Sequence, residues 1–155
     1  MTLEEFQDEY QGKAVDFDHF YGVQCMDLIE FYNRDVVLAP RLFGHAFQLA
    51  KNPQPDYYFY SKNTDDYIPP AGAIAVWNRS LGQGYGHAAI VFDANLMEFW
   101  SLDQNWEGVQ KAQGIKHTYD NVDCFLIPRR QTDEGRLINF MSELKALFNK
   151  YNLSL

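Results

Sequence analysis

The sequence predicts an α+β domain in which helices come first along the chain and pack against an antiparallel sheet built from later strands. Three observations predict it. Apolar residues fall at helical spacing over the first third of the chain, whereas after residue 72 they gather in short runs bounded by Gly, Asn, Asp or Pro. The chain has 155 residues, enough for one proper core and too few for two comfortable ones. With 46% hydrophobic and 22% charged residues, its composition is that of a globular protein, far from the disordered regime.

Each element has its own signal. Leu3, Phe6 and Tyr10 predict a short amphipathic helix over residues 3–10. Asp16 to Gly22 reads as an acidic loop. Met26, Leu28, Ile29 and Tyr32 carry a second helix from Gln24 to about Asn33. A further short helix is expected over Arg41–Lys51, and the Pro- and Tyr-rich stretch 52–70 reads as loop. Strands are expected at Gly72–Trp77, His87–Asp93, Met97–Leu102 and Val122–Pro128. In the last segment Leu137, Met141, Leu144, Phe148 and Tyr151 step by four, three, four and three, the pattern of a strongly amphipathic helix. Its apolar face would either cover the sheet or serve self-association or docking through residues 134–151.

Charge and composition exclude several classes of partner. A formal net charge of −8 argues against binding through nucleic-acid phosphates or anionic lipid. No apolar run approaches the length of a membrane span. The start Met1-Thr2-Leu3-Glu4-Glu5 is acidic and lacks an apolar segment, so synthesis in the cytoplasm without a signal peptide is expected. Two cysteines far apart do not make a disulfide framework.

Chemistry gathers at four places. Cys25 stands at the expected start of the second helix, where the helix dipole and unsatisfied amide N–H groups favour a nucleophilic thiol. Cys124, inside Val122-Asp123-Cys124-Phe125-Leu126, reads as a core residue. His87 opens an apolar strand after Gly82-Gln83-Gly84-Tyr85-Gly86, an unnatural place to bury an imidazole, and could act as the base for a thiol. His19, His45 and His117 stand in segments without such a pattern. The next strand ends in Leu102-Asp103-Gln104-Asn105-Trp106, offering Asp103 and Asn105 as groups to hold the far nitrogen of the imidazole. Finally, Asp16, Asp18 and Asp27 occupy positions 1, 3 and 12 of a twelve-residue loop, as carboxylates do in a Ca²⁺ loop, with backbone carbonyls available between them.

As an ordered set, Asp16-Phe17-Asp18, then Tyr21-Gly22-Val23-Gln24-Cys25-Met26-Asp27-Leu28, then Gly86-His87-Ala88-Ala89-Ile90-Val91, then Asp103-Gln104-Asn105-Trp106, resemble a CHAP domain. These are the cysteine, histidine-dependent amidohydrolases and peptidases of phage endolysins and bacterial wall hydrolases. The resemblance implies a papain-like fold and a catalytic domain over residues 1–130, with 131–155 as a C-terminal helical extension. It implies peptidoglycan as substrate, Cys25 as nucleophile and His87 as general base. Asp103 would orient the histidine, Asn105 complete the site and Gln24 stabilise the oxyanion. Calcium would be held by the side chains of Asp16, Asp18 and Asp27 and by the carbonyls of Phe20 and Gly22, in a structural role. The expected activity is an endolysin's, either endopeptidase or N-acetylmuramoyl-L-alanine amidase, made in the host cytoplasm and acting on the wall. Two other settings fit the same residues: a tail-associated or wall-remodelling hydrolase docked through its C-terminal helix, and a non-catalytic calcium-dependent wall-binding protein.

Overall fold

The computed structural model describes residues 1–129; the expected C-terminal helix and the docking segment 134–151 lie outside the described residues. The first helix, α1 (Leu3–Tyr10), is fixed at its start by Thr2. The Thr2 hydroxyl accepts from the Glu5 amide at 3.1 Å, and the Glu5 carboxylate takes the Thr2 amide at 2.8 Å. Phe6 and Tyr10 are its buried face. Helix α2 (Cys25–Tyr32) buries Leu28, Ile29 and Tyr32, and runs on into a π-helical turn, Asn33–Val37, that Leu38 ends in the left-handed conformation. The helix expected over Arg41–Lys51 shrinks to a 3-10 turn, Ala46–Ala50. Gly44 at φ 97° and an extended His45 turn the chain out of helical geometry just before it.

The sheet has six strands: β1 (Tyr58–Lys62), β2 (Ile74–Trp77), β3 (His87–Ala94), β4 (Phe99–Asp103), β5 (Gln113–His117) and β6 (Val122–Pro128). Their order is β1-β6-β2-β3-β4-β5, with every pairing antiparallel. Four strands were expected; β1 and β5 were not. Both are edge strands. Tyr58-Phe59-Tyr60 favours a strand despite the neighbouring prolines, and β5 alternates partly buried with exposed positions and carries only Ile115 as a large aliphatic residue.

Side-chain alternation along the central strands sends residues into two apolar layers. Ile74, Val76, Ala88, Ile90, Leu102, Cys124 and Leu126 meet α1 and α2 through Phe6, Leu28, Ile29 and Tyr32. Ala75, Trp77, Ala89, Val91, Phe99, Phe125 and Ile127 form the layer on the opposite face. Burial on both sides explains why β2, and β6 from Cys124 onward, read as continuous apolar runs. No described helix is long and apolar enough to cross a membrane.

Candidate active site

Cys25 is the first residue of α2, and Gln24 before it is extended, so the thiol sits where the helix leaves its first amide groups without intrahelical partners. The thiol is half-buried. Cys124 behaves as expected of a core residue: it is fully buried in β6, and burial pushes its thiol up to about 12, the nearby charge of Asp123 adding to the effect.

His87 opens β3 because Gly86 permits it. At φ 73°, with Trp77 O 2.6 Å and Phe47 N 2.8 Å from where a Cβ would stand, no other residue fits that position without moving backbone. The groups that approach this glycine so closely belong to the protein's own chain. The β3–β4 register pairs Ile90 with Leu102, so His87 and Asp103 are diagonal neighbours on one face of the sheet. The imidazole Nε2 lies 2.8 Å from Asp103 Oδ2. Burial alone would lower the imidazole, but the hydrogen bonds with Asp103 and Cys25 carry it up to about 9. With Nε2 on the carboxylate, Nδ1 is the nitrogen left for the thiol. Trp106 and Trp77 wall the ring, their centroids 4.9 and 5.2 Å from its own in edge-on packing.

Asp103 is fully buried and fully bonded. Ser101 Oγ donates to Oδ1 at 2.6 Å, and His117 Nε2 reaches Oδ2 at 3.0 Å beside His87. Burial would raise this carboxyl; the hydrogen bonds from His117 and His87 hold it below the ordinary carboxylate value instead. Sequence reasoning misses His117, because no spacing within its own strand links it to β4.

Asn105 takes a different partner from the imidazole. Its Nδ2 donates to Gln24 Oε1 at 3.3 Å, while Gln24 Nε2 donates to the Tyr21 carbonyl at 3.0 Å. Gln104 is buried and structural. Its Oε1 accepts from Val15 N at 2.9 Å, and its Nε2 donates to Val15 O at 2.8 Å and to Gln24 O at 2.7 Å. One side chain thus ties the end of β4, beside Asp103, to the residue preceding the thiol.

The acidic loop folds on itself as an ion-sized cluster. Ligand oxygens of Asp16, Asp18 and Asp27 all lie within 4.8 Å of one another. Asp16 also accepts from His19 N at 2.7 Å and Asp18 from Phe20 N at 3.0 Å. Asp27 accepts from Phe17 N at 3.1 Å and Gln24 N at 2.7 Å, linking the loop to the start of α2. Burial pushes Asp27 up, the charges of Asp16 and Asp18 adding to it, and the Phe20 amide together with Arg41 holds Asp18 down. The Arg41 guanidinium is bonded to Asp18 and lies 3.9 Å from the buried Glu30, whose carboxyl burial pushes up to about 7.

A family model described as "CHAP domain" matches residues 14–120, more than half of the chain. Over 116 residues the chain is 33% identical to a probable autolysin PH of Staphylococcus aureus (strain NCTC 8325 / PS 47), a match covering 72% of this chain and 24% of that protein. It is 30% identical over 147 residues to endolysin PlyTW of Staphylococcus phage Twort, covering 86% of this chain and 32% of that one. The chain thus spans less than a third of either curated relative. Among solved structures, a wild-type endolysin LysIME-EF1 superposes with a TM-score of 0.69 at 31% identity, covering 83% of this chain and 64% of that one.

Proposed function

The chain belongs to the CHAP domain family, and from that premise we propose that it cleaves an amide or peptide bond of bacterial peptidoglycan through Cys25 and His87. The observation that carries this reading is one arrangement of groups: a thiol at a helix start, an imidazole near enough for the thiol to raise it, and a buried carboxylate 2.8 Å from the imidazole's Nε2. The carboxylate oxygen accepts, so Nε2 carries a proton and Nδ1 takes the one that leaves Cys25.

The sulfur then attacks the scissile carbonyl carbon, forming a C–S bond and an oxyanion. The Cys25 backbone N–H and the second proton of Gln24 Nε2 would donate to that oxygen, Asn105 holding the Gln24 amide by its oxygen. As the C–N bond breaks, His87 gives its Nδ1 proton to the leaving amine. His87 next deprotonates a water that attacks the thioester, and the Cys25 thiol is released. Whether the bond lies in the stem peptide, the cross-bridge or the muramoyl–alanine linkage is read from the fragments.

The acidic loop supports calcium as a structural partner. Three carboxylates offer hard oxygen ligands within one ion's span, and Arg41 already stands there as a cation. Asp16, Asp18 and Asp27 would hold the ion through side chains, and Phe20 and Gly22 through carbonyls. Bound calcium would neutralise the cluster and brace the loop that leads into α2.

Mass spectrometry of fragments released from purified cell walls tests the reading. Release of new amine or carboxyl termini by the native chain, and none by a Cys25→Ala variant that melts at the native temperature, is the expected result. Undiminished release by Cys25→Ala would overturn it.

A further inference from the structure

Two imidazoles meet one carboxylate oxygen in this site. His87 Nε2 and His117 Nε2 lie 2.8 and 3.0 Å from the same Asp103 Oδ2, while Ser101 occupies Oδ1. An ionised carboxylate oxygen only accepts, so both ring nitrogens are N–H donors and both histidines are fixed in the same tautomer. His117 has the burial of a core residue and packs edge-on against Trp106 and Trp77, with ring centroids 4.5 and 4.9 Å away. That aromatic packing explains a buried ring; it does not require a polar one aimed at Asp103.

Two donors on one oxygen divide its charge, and each weakens the other's bond. We propose that His117 is a positioning residue that shares Asp103 Oδ2 with His87 and thereby limits how strongly this carboxylate holds the proton of the imidazolium. The proposal rests on Cys25 and His87 being the catalytic pair. An imidazolium held too firmly by Asp103 is a poor acid toward the leaving amine; sharing the oxygen keeps it able to give its proton up. The titratable groups facing His87 are Cys25 from α2, Asp103 from β4 and, through Asp103, His117 from β5. From β2 comes Trp77, and from the segment after β4 Trp106, neither of them titratable. A charged His117 would act in the same direction, repelling the His87 imidazolium, so both electrostatic contributions have one sign.

The test is nitrogen-detected NMR of histidine-labelled protein in a Cys25→Ala background, where thiol ionisation cannot interfere and turnover is not needed. His117→Phe should raise the His87 titration midpoint by on the order of half a pH unit, and His117→Gln, which keeps an N–H donor, should restore most of the difference. An unmoved or lowered midpoint in a folded His117→Phe protein overturns the proposal. The unmutated chain provides a second arm: a His117 ring protonated on Nδ1 rather than Nε2 at neutral pH also overturns it. In otherwise native protein, His117→Phe should lower kcat on cell walls several-fold at unchanged KM and move the alkaline limb of the pH profile upward. An unchanged kcat with that limb in place would sink the proposal, while the Cys25→Ala result tests the catalytic pair separately.

Discussion

Cys124 and Cys25 put the same atom to opposite uses. The first is sealed in β6 with its thiol pushed up to about 12 by burial, the second half-exposed at a helix start against an imidazole. Cys124→Ser should therefore leave hydrolysis largely intact while lowering stability by about 1–3 kcal/mol, the cost of a hydroxyl in an apolar layer, read as a lower urea midpoint. His87 makes a pH prediction with a definite sign. Its midpoint rises from 6.5 in the unfolded chain to about 9 in the fold, so the stability it contributes is complete below 6.5 and drains away as pH climbs through 9. Urea midpoints should fall over that window, and the part of the fall due to this residue should vanish in His87→Gln. At this scale the sequence revealed the residues whose chemistry is announced by neighbours, such as a Cys opening a helix and a His opening an apolar strand. It concealed His117 and Gln104, whose meaning lies in partners 14 and 80 positions away or more.

Elements matter here through the turns that introduce them. Gly86 is held at φ 73° with two backbone atoms where a Cβ would stand, so Gly86→Ala should cost about 1–3 kcal/mol or more in stability. It should also lower kcat by displacing the start of β3; a native melting temperature would contradict the packing described above. The acidic loop makes the other prediction. Calcium should raise the melting temperature of metal-stripped protein through its preference for the folded state. Asp18→Ala should abolish that rise, and Asp8→Ala, outside the loop, should not. Arg41→Gln should tighten calcium binding several-fold by calorimetry, because the ion no longer competes with a tethered cation for Asp18. The sequence located α1, α2 and the four strands that carry large apolar residues. It missed β1 and β5 because a sheet edge exposes half of its side chains, which removes the apolar signal while the backbone pairing persists.

Across the whole molecule the site lies where two halves meet. The thiol belongs to the helical half and the imidazole and carboxylate to the sheet, so the proposed catalysis would depend on how firmly the halves are held together. Gln104 makes three of the bonds between them. Gln104→Ala should leave Val15 and Gln24 with backbone groups short of partners, costing about 1–3 kcal/mol and lowering kcat more than it raises KM. Equal stability and equal kcat would assign the bracing to the apolar layers alone. The α+β class and the order of helices and strands were legible in the sequence because burial writes them as periodicity. The brace was not, since one polar side chain bonded to backbone leaves no pattern at all.

That brace has a consequence for the chain as a material. Val15 and Gln24 are pinned to the same amide, so everything between them hangs from a closed neck. At the far end of the neck Phe20 and Tyr21 are exposed, Tyr21 almost completely. Residues spliced in between those two would cost closure entropy that grows only with the logarithm of their number, and the tension would stop at Gln104. Such an insertion would part the Phe20 and Gly22 carbonyls and loosen the Tyr21 carbonyl from Gln24, so it would fall on calcium and on the oxyanion donor first, while the Gln104 bonds keep the start of α2 where it is.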